Sequence, residues 1–158
     1  MGKIFLMAVM LTFCALTAFS EGEKAPDFGL SDIDGNEFHL SDAAGKIVIL
    51  DFWATWCPPC QETVPHLNEL QKKFGDKGLQ VVGISLDRKG LRVVKPFAKK
   101  YDISYKLLVG DYSKVVEDYG GIVGIPTLFV IDRQGNIAVK FIGYVEKEEL
   151  EDAVKKLL

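Results

Sequence analysis

Cysteine and histidine are scarce in this sequence, which has 3 cysteines and 2 histidines among 158 residues. A structural zinc site takes four ligands, commonly cysteine and histidine. Cys57, Cys60 and His66 would supply three, and no fourth ligand is obvious, so the composition predicts no bound metal. His39 and His66 are interpreted as ordinary polar residues.

Hydrophobic runs long enough to span a membrane are also missing. The longest apolar stretch, 4–19, has sixteen mostly apolar positions after Lys3, whereas a spanning helix needs about 20. A basic start, an apolar middle and small residues at the end are the layout of a secretory signal. We therefore predict that 1–20 is a signal peptide cleaved after Ser20 and that 21–158 is the exported domain. An uncleaved membrane anchor formed by 4–19 is the alternative.

Positive charge is in short supply as well. Loss of residues 1–20 removes Lys3 and no acid, so 19 basic side chains become 18 against 22 acidic ones, a net charge of −4. This balance argues against a nucleic-acid partner. Cys14 leaves with the same segment. The exported domain then keeps only Cys57 and Cys60, and export permits a disulfide between them.

The sequence has no internal repeat and no low-complexity tract. Its 158 residues, 48% hydrophobic and 26% charged, suit one domain with its own core. Strand-like and helix-like segments alternate, which predicts an α/β sandwich with a mixed sheet. Strands are predicted over 46–53, 79–86, 107–109, 126–131 and 136–142, and helices over 58–74, 91–101, 111–119 and 146–158.

Three segments carry local signals for this fold. Ile-Asp-Gly-Asn at 33–36 is a turn sequence and predicts a hairpin. The unbroken β-branched and aromatic run 46–53 predicts a strand buried on both faces, at the centre of the sheet. Pro58 suits the first turn of the helix 58–74, within which Pro65 predicts a kink.

The motif Trp-Cys-Pro-Pro-Cys at 56–60 lies between a predicted strand and a predicted helix. A C-x-x-C pair there indicates redox chemistry, although an isolated pair leaves metal binding and a structural disulfide open. So short a loop adds little stability, which argues against a structural staple. Thiol–disulfide exchange needs an exposed thiolate that attacks and a second thiol that resolves the mixed disulfide. Cys57, at the helix amino terminus where the dipole lowers a thiol pKa, is predicted to attack, and the less exposed Cys60 to resolve.

Asp51 precedes Cys57 by six residues and lies inside the apolar strand 46–53. Burial disfavours the ionised carboxylate, so its pKa should rise. A raised pKa suits a general base. The alternative interpretation is an acid hydrogen-bonded at a strand end.

The segment 51–60, followed by Gly-Ile-Pro-Thr at 124–127, resembles the thioredoxin-fold oxidoreductases. Ala-Pro-Asp-Phe at 25–28, Leu-Ser-Asp at 40–42 and the extra helix near 91–101 narrow the resemblance to the exported TlpA/ResA type, which is related to the AhpC/TSA and Redoxin proteins. The resemblance covers nearly all of the predicted exported domain. It implies a thioredoxin fold, with a mixed sheet sandwiched by helices, an amino-terminal hairpin and a strand-helix insertion.

The resemblance also implies roles for single residues. Asp51 would take the Cys60 proton, through water, as the mixed disulfide resolves. Two features depart from the family: Thr63 stands where many relatives have a glutamate, with Glu62 one position earlier, and Gly83 stands nearest to the position of a lysine that pairs with the buried acid. An acid-assisted role for Glu62 is therefore not expected.

The resemblance implies substrate contacts for the Gly-Ile-Pro-Thr loop and for Trp56. The Pro126 peptide would be cis and face the dithiol, and the backbone of Ile125 would pair with an extended client segment. Trp56 would form a flat apolar platform beside Cys57, while Trp53 would support the motif from within.

Pro58 and Pro59 are predicted to set how oxidising the dithiol is. Compared with the Gly-Pro of thioredoxin, Pro58 removes one further backbone N–H that could support the Cys57 thiolate. We therefore expect only modest stabilisation of the reduced form, which favours a reductant over a strong oxidant.

The prediction is an exported, periplasmic or otherwise extracytoplasmic thiol-disulfide oxidoreductase that reduces protein disulfides and needs no bound cofactor beyond the redox-active Cys57–Cys60 disulfide. The resemblance implies clients with disulfides, such as apocytochrome c in cytochrome c maturation, and a membrane electron donor; we expect a monomer. A peroxiredoxin-like thiol peroxidase is one alternative, but Ala54 and Leu50 replace the threonine and proline of its motif. A dithiol metal-binding module is the other.

Overall fold

A computed structural model describes residues 22–158 of the chain. The predicted signal segment 1–20, with Cys14, lies outside the described residues. The strands are β1 (Gly29–Asp32), β2 (Glu37–His39), β3 (Ile47–Trp53), β4 (Leu79–Ser85), β5 (Lys106–Val109), β6 (Thr127–Ile131) and β7 (Ile137–Ile142). The helices are α1 (Pro58–Phe74), α2 (Leu91–Lys100), α3 (Ser113–Asp118) and α4 (Lys147–Lys155), with short 3-10 turns over Leu40–Ala43 and Gly75–Lys77.

The strands form one mixed sheet in the order β2-β1-β5-β4-β3-β6-β7. The central strand β3 runs parallel to β4 and antiparallel to β6, and every residue of β3 is buried. The predictions of a mixed α/β sheet and of a central strand covered on both faces are therefore confirmed.

The hairpin predicted at 33–36 is present and joins the sheet through β1, which pairs with β5. Asp32 organises its turn, because Asp32 Oδ1 accepts hydrogen bonds from the backbone N–H groups of Asp34 and Asn36, both at 2.9 Å. Gly35 has a φ of 89°, a left-handed conformation that glycine adopts without steric cost. The turn chemistry thus explains both the hairpin and its position.

Side chains alternate between the two faces of β3, and this alternation creates two core layers. Ile47, Ile49 and Trp53 pack on one face with α1, α2 and α4. Val48 and Phe52 pack on the other face with α3 and the hairpin. We call these the α1 layer and the α3 layer. Asp51 follows the parity of Ile49 and Trp53, so it belongs to the α1 layer, beneath the helix that carries Cys60.

Within residues 22–158, no helix has the length and apolar character needed to cross a membrane. Helix α3 is shorter than the predicted 111–119, because the side chain of Asp111 accepts a hydrogen bond from the Ser113 N–H and holds the preceding turn. Helix α1 continues through Pro65, and Pro96 lies within α2.

Candidate active site

The two cysteines form a disulfide at the junction between β3 and α1, with their Sγ atoms 2.16 Å apart. Cys57 is the N-cap of α1 and has extended backbone angles, while Cys60 lies in the first turn. Cys57 therefore lies just beyond the carboxyl end of the central strand β3, and helix α1 begins immediately after it. This is the position that the motif predicted.

Backbone N–H groups are few at this end of α1. Pro58 and Pro59 are the first two helical residues and carry none, so the first N–H is that of Cys60. It donates to Cys57 Sγ over 3.2 Å, whereas the Gln61 N–H bonds to the carbonyl oxygen of Cys57. The Cys57 sulfur thus receives a single helical N–H hydrogen bond.

The expectation of an exposed Cys57 is wrong for this oxidised form. Cys57 is only 3% exposed and Cys60 1%. The reason is the loop before β6, whose Ile125 carbonyl oxygen lies 3.7 Å from Cys57 Sγ. Cys60 is the less exposed of the two, as expected, but by a small margin.

Asp51 is buried in the α1 layer, 2% exposed, and its Oδ1 has no hydrogen-bond partner. Burial raises the pKa of Asp51 to about 8, in the predicted direction. Because Asp51 lies within β3 and its Oδ1 is unpartnered, the alternative of an acid bonded at a strand end does not fit.

Gly83 stands directly opposite Asp51 on β4. A Cβ atom at Gly83 would come within 2.9 Å of both Leu107 Cδ2 and Trp53 Nε1, so this position has no room for a lysine. The glutamate that many relatives carry on α1 is also missing. Thr63 stands at its position and donates its hydroxyl to the Pro59 carbonyl, and the neighbouring Glu62 is exposed. Because Gly83 leaves no room for a lysine, the carboxyl of Asp51 has no cationic partner within residues 22–158.

The peptide between Ile125 and Pro126 is cis, as the resemblance implied, and its loop faces the disulfide. Two hydrogen bonds fix the loop: the Gly143 N–H donates to the Pro126 carbonyl over 2.7 Å, and the Thr127 hydroxyl donates to the Gly124 carbonyl over 2.6 Å. The backbone beside the sulfur atoms is therefore held by β7 and by its own turn.

The two tryptophans of the motif occupy opposite environments. Trp56 is 67% exposed beside Cys57, whereas Trp53 is buried and packs on Phe97 with ring centroids 5.2 Å apart. The buried Trp53 supports the motif from within, and the role of Trp56 as a platform beside Cys57 stays a prediction.

Asp87 is a residue of the site's surroundings that the sequence analysis missed. Its carboxylate accepts hydrogen bonds from the Thr55 N–H over 2.8 Å and from the Thr55 hydroxyl over 2.7 Å. It thereby fixes the loop that carries Trp56. The available signal was an acid just beyond the end of β4, a strand parallel to β3, because parallel strands end at the same edge of a sheet.

Four exposed apolar side chains lie next to Cys57 or close to the cis-proline loop, and we call them the apolar rim: Trp56, Val123, Ile142 and Tyr144. Val123 precedes the cis-proline loop and is 87% exposed, while Ile142 pairs with Thr127 directly after it. Of these four, only Trp56 was expected from the sequence. The other three come from two segments distant from the motif: Val123 lies before the cis-proline loop, and Ile142 and Tyr144 lie at or just beyond the end of β7.

Across residues 22–158, no group of three His, Cys, Asp or Glu side chains is arranged to hold a metal ion. His39 Nε2 lies 3.2 Å from a carboxylate oxygen of Glu37, and the His66 ring contacts the ring of Tyr144. Neither histidine lies at the disulfide as a hydrogen-bond partner of the sulfur atoms.

Comparisons with known proteins agree with this geometry. A family model described as the AhpC/TSA family matches residues 22–140. The chain is 31% identical to thiol-disulfide oxidoreductase ResA of Bacillus thuringiensis, over 98% of this chain and 95% of that protein. It is 38% identical to thioredoxin-like protein YneN of Bacillus subtilis, over 83% and 76%. Among solved structures, a thiol:disulfide interchange protein of the thioredoxin family from Chlorobium tepidum is 33% identical, covers 89% of this chain and 99% of its own, and superposes with a TM-score of 0.79.

Proposed function

We propose that this chain, which belongs to the AhpC/TSA family and is a thiol-disulfide oxidoreductase, acts as a reductase of exported disulfide-containing proteins. The observation that carries the proposal is the disulfide at the amino terminus of α1, faced by a cis-proline loop and lying over a buried, unpartnered carboxyl. Together these features provide a nucleophile, a resolving thiol, a substrate-facing backbone and a base.

The cycle begins with the reduced dithiol. The Cys57 thiolate attacks one sulfur of the client disulfide, so a Cys57–client disulfide forms, the client disulfide breaks, and the released client thiolate takes a proton from solvent. Cys60 then gives its proton to the Asp51 carboxylate, and its thiolate attacks Cys57 Sγ. The Cys57–Cys60 bond forms, the Cys57–client bond breaks, and the second client thiolate is protonated. Two electrons pass from the dithiol to the client.

Asp51 is suited to this proton transfer by its environment. A pKa of about 8 means that the carboxylate binds a proton strongly near neutral pH and can release it afterwards. The physical cause is the apolar α1 layer, which destabilises the charged form. Asp51 lies on the sheet face that helix α1 covers, so Cys60 is the thiol from which it would accept a proton.

The client would lie across the cis-proline loop. The Ile125 backbone beside Cys57 offers hydrogen-bonding groups to an extended segment, in the manner of an added strand. Trp56 would support the segment on one side of the disulfide, and Val123 and Ile142 on the other. The apolar rim therefore favours client segments that carry apolar side chains next to the reacting cysteine.

Reduction rather than oxidation is inferred from the amino terminus of α1. A thiolate at Cys57 would receive one helical N–H, because Pro58 and Pro59 supply none. Weak stabilisation of the thiolate leaves the reduced form free to give up its electrons. A membrane electron donor would recharge the disulfide, no further cofactor would be required, and the protein would act as a monomer.

The cellular setting belongs to the same proposal. The layout of 1–20 supports export, with the reaction taking place in the periplasm or another extracytoplasmic space. Apocytochrome c, whose haem-binding cysteines must be reduced, would be one client class, which places the chain in cytochrome c maturation.

The test is to trap clients with Cys60→Ser, whose Cys57 thiol can attack but whose mixed disulfide cannot resolve. We expect disulfide-linked adducts that are absent in the Cys57→Ser control. We also expect the reduction potential of the Cys57–Cys60 pair to be more negative than that of a strong thiol oxidant. Absence of adducts would contradict the proposal. Direct peroxide consumption would instead favour the peroxidase alternative, and stoichiometric tight binding of zinc or copper by the reduced protein would favour the metal-binding alternative.

A further inference from the structure

Buried polar atoms without partners gather in the α1 layer. Four such side-chain atoms occur in residues 22–158, and three of them are Asp51 Oδ1, Trp53 Nε1 and the Tyr105 hydroxyl; the fourth is His66 Nδ1. Buried polar groups are normally hydrogen-bonded, so three in one layer require an explanation. One of the three is an acceptor and two can donate.

The strand register brings the three groups together. Asp51, Gly83 and Leu107 lie in one row across β3, β4 and β5. Trp53 lies two residues after Asp51, and Tyr105 lies two residues before Leu107, so all these side chains belong to the same face. Gly83 leaves the middle of the row open.

The Trp53 indole N–H lies over Gly83, and the Tyr105 hydroxyl is close enough to Asp51 to respond to its charge. Trp53 Nε1 would be 2.9 Å from a Cβ atom at Gly83, which is the residue opposite Asp51. The negative charge of Asp51 acts on Tyr105: burial, and to a lesser extent the Asp51 carboxylate, raise the pKa of Tyr105 well above its usual value. The Tyr105 hydroxyl thus keeps its proton and remains a donor.

No charged side chain competes for Asp51 among the buried residues of this layer. The ionisable groups that face it are Cys57 and Cys60 from α1 and Tyr105 before β5. Helices α2 and α4 contribute apolar side chains to the buried core of the layer: Val94, Phe97, Ala98, Leu150 and Val154. The donors available to a charged Asp51 are therefore neutral ones.

We propose that Tyr105 is a positioning residue for the proton transfer, whose hydroxyl, with the Trp53 indole N–H, hydrogen-bonds the Asp51 carboxylate across one internal water. The proposal rests on the proposed function, in which the Asp51 carboxylate accepts the Cys60 proton. Hydrogen bonds to the charged form favour that form. Neutral donors would stabilise the carboxylate enough for it to accept a proton, without the strong stabilisation that a cation would give.

The test replaces Tyr105 by phenylalanine, which keeps the ring and removes the donor. We expect the Asp51 pKa to rise by about one unit, which lowers the ionised fraction at neutral pH about tenfold. The carboxyl titration is followed by NMR of ¹³C-labelled aspartate in the oxidised protein, a measurement that needs neither client nor catalysis. In parallel, the rate of mixed-disulfide resolution with a peptide disulfide should fall about tenfold at pH 7 and recover at higher pH.

Tyr119→Phe is the matched control, because Tyr119 is fully buried in the α3 layer and its hydroxyl donates to the Pro26 carbonyl over 2.9 Å. We expect it to leave the Asp51 titration unchanged. Tyr105→3-fluorotyrosine retains the ring and strengthens the donor, so it should lower the Asp51 pKa even if Tyr105→Phe folds poorly.

Unchanged titration of Asp51 in both Tyr105 variants would overturn the inference, whatever the protein's activity. A shift of the titration equal to that of Tyr119→Phe would do the same, because it would reflect a general loss of structure. A specific shift in a protein that reduces no disulfide would uphold the link between Tyr105 and Asp51 while rejecting the proposed function.

Discussion

Asp32 and Asp51 are both buried aspartates on strands of one sheet, at 7% and 2% exposure, yet their pKa values move in opposite directions. The pKa of Asp32 is lowered to about 2, chiefly by the Asn36 backbone N–H, with help from the Asn36 amide and Lys106 against the cost of burial. The pKa of Asp51 is raised to about 8 by burial alone. Donors that favour the ionised form lower the pKa of Asp32, whereas burial acts unopposed on Asp51.

The two tyrosines repeat this contrast. In the α3 layer, the Tyr119 hydroxyl is bonded to the Pro26 carbonyl, while the Tyr105 hydroxyl in the α1 layer is unpartnered. The hairpin and the α3 layer hold fully bonded polar groups that stabilise the fold. The α1 layer, which also contains the two cysteines, keeps buried groups without hydrogen-bond partners.

The largest expected effect is on the rate of mixed-disulfide resolution, which should depend on Asp51 and not on Asp32. Asp51→Asn removes the base while keeping the shape, so resolution of the mixed disulfide should slow by about 10²–10⁴-fold at pH 7. Stopped-flow measurement of resolution with a peptide disulfide checks this. The matched control, Asp32→Asn, should resolve at the wild-type rate; equal slowing in both variants would refute the contrast.

The pH dependence of stability should separate the same two acids. Asp51 has a folded-state pKa above its unfolded value, so it costs stability as the pH rises from about 4 to 8, where the unfolded chain is ionised and the folded chain is not. The free energy of unfolding of Asp51→Asn, relative to that of wild type, should therefore increase by several kcal/mol between about pH 4 and pH 8. Urea denaturation at a series of pH values measures it, and parallel curves would contradict it.

Asp32 should show the opposite sign. Its folded-state pKa is depressed, so its stabilisation is present above about pH 4 and is lost as the pH falls toward 2. Asp32→Asn should cost about 1–3 kcal/mol at neutral pH, because the turn donors lose an ionised acceptor. The difference from wild type should shrink in acid, and a difference that is constant with pH would show that the charge is irrelevant.

The smallest expected effect is on the reduction potential of the dithiol, which should depend more on the amino terminus of α1 than on Asp51. Pro58→His restores an N–H at the first position of α1 and adds a partly cationic side chain beside Cys57. The Cys57 pKa should fall and the reduction potential should rise by about 30–60 mV, or roughly 1.4–2.8 kcal/mol. Equilibration with glutathione measures the potential. Asp51→Asn is the comparison variant and should shift it less; an unchanged or lower potential in Pro58→His would contradict the prediction.

Much of the site could be predicted from local sequence. The unbroken apolar run 46–53 predicted the central strand, and the acid within it, Asp51, was expected to have a raised pKa for that reason. The prolines after Cys57 predicted a helix start, because proline fits the first turn. These features depend on neighbours within a few residues, so the chain itself carries them.

Tyr105, Asp87 and Val123 escaped prediction because their significance depends on partners distant in sequence. Tyr105 is more than fifty residues from Asp51, and only the register of β3, β4 and β5 places them on one face. An isolated tyrosine before a short strand carries no local signal for this. Asp87 likewise gained its role from Thr55 on another segment. The predicted exposure of Cys57 failed for the same reason, since the covering Ile125 comes from a distant loop.

By itself, the sequence determined the dithiol, the helix that begins at it and the buried acid before it, since each follows from spacing, backbone chemistry and hydrophobic patterning along one stretch of chain. Only the tertiary structure decided which groups surround that acid. Gly83 opposite Asp51 excludes a cation, and the Trp53 and Tyr105 donors share its layer. The physical reason is that a buried pKa depends on neighbours in space, and strand pairing between distant segments supplies them.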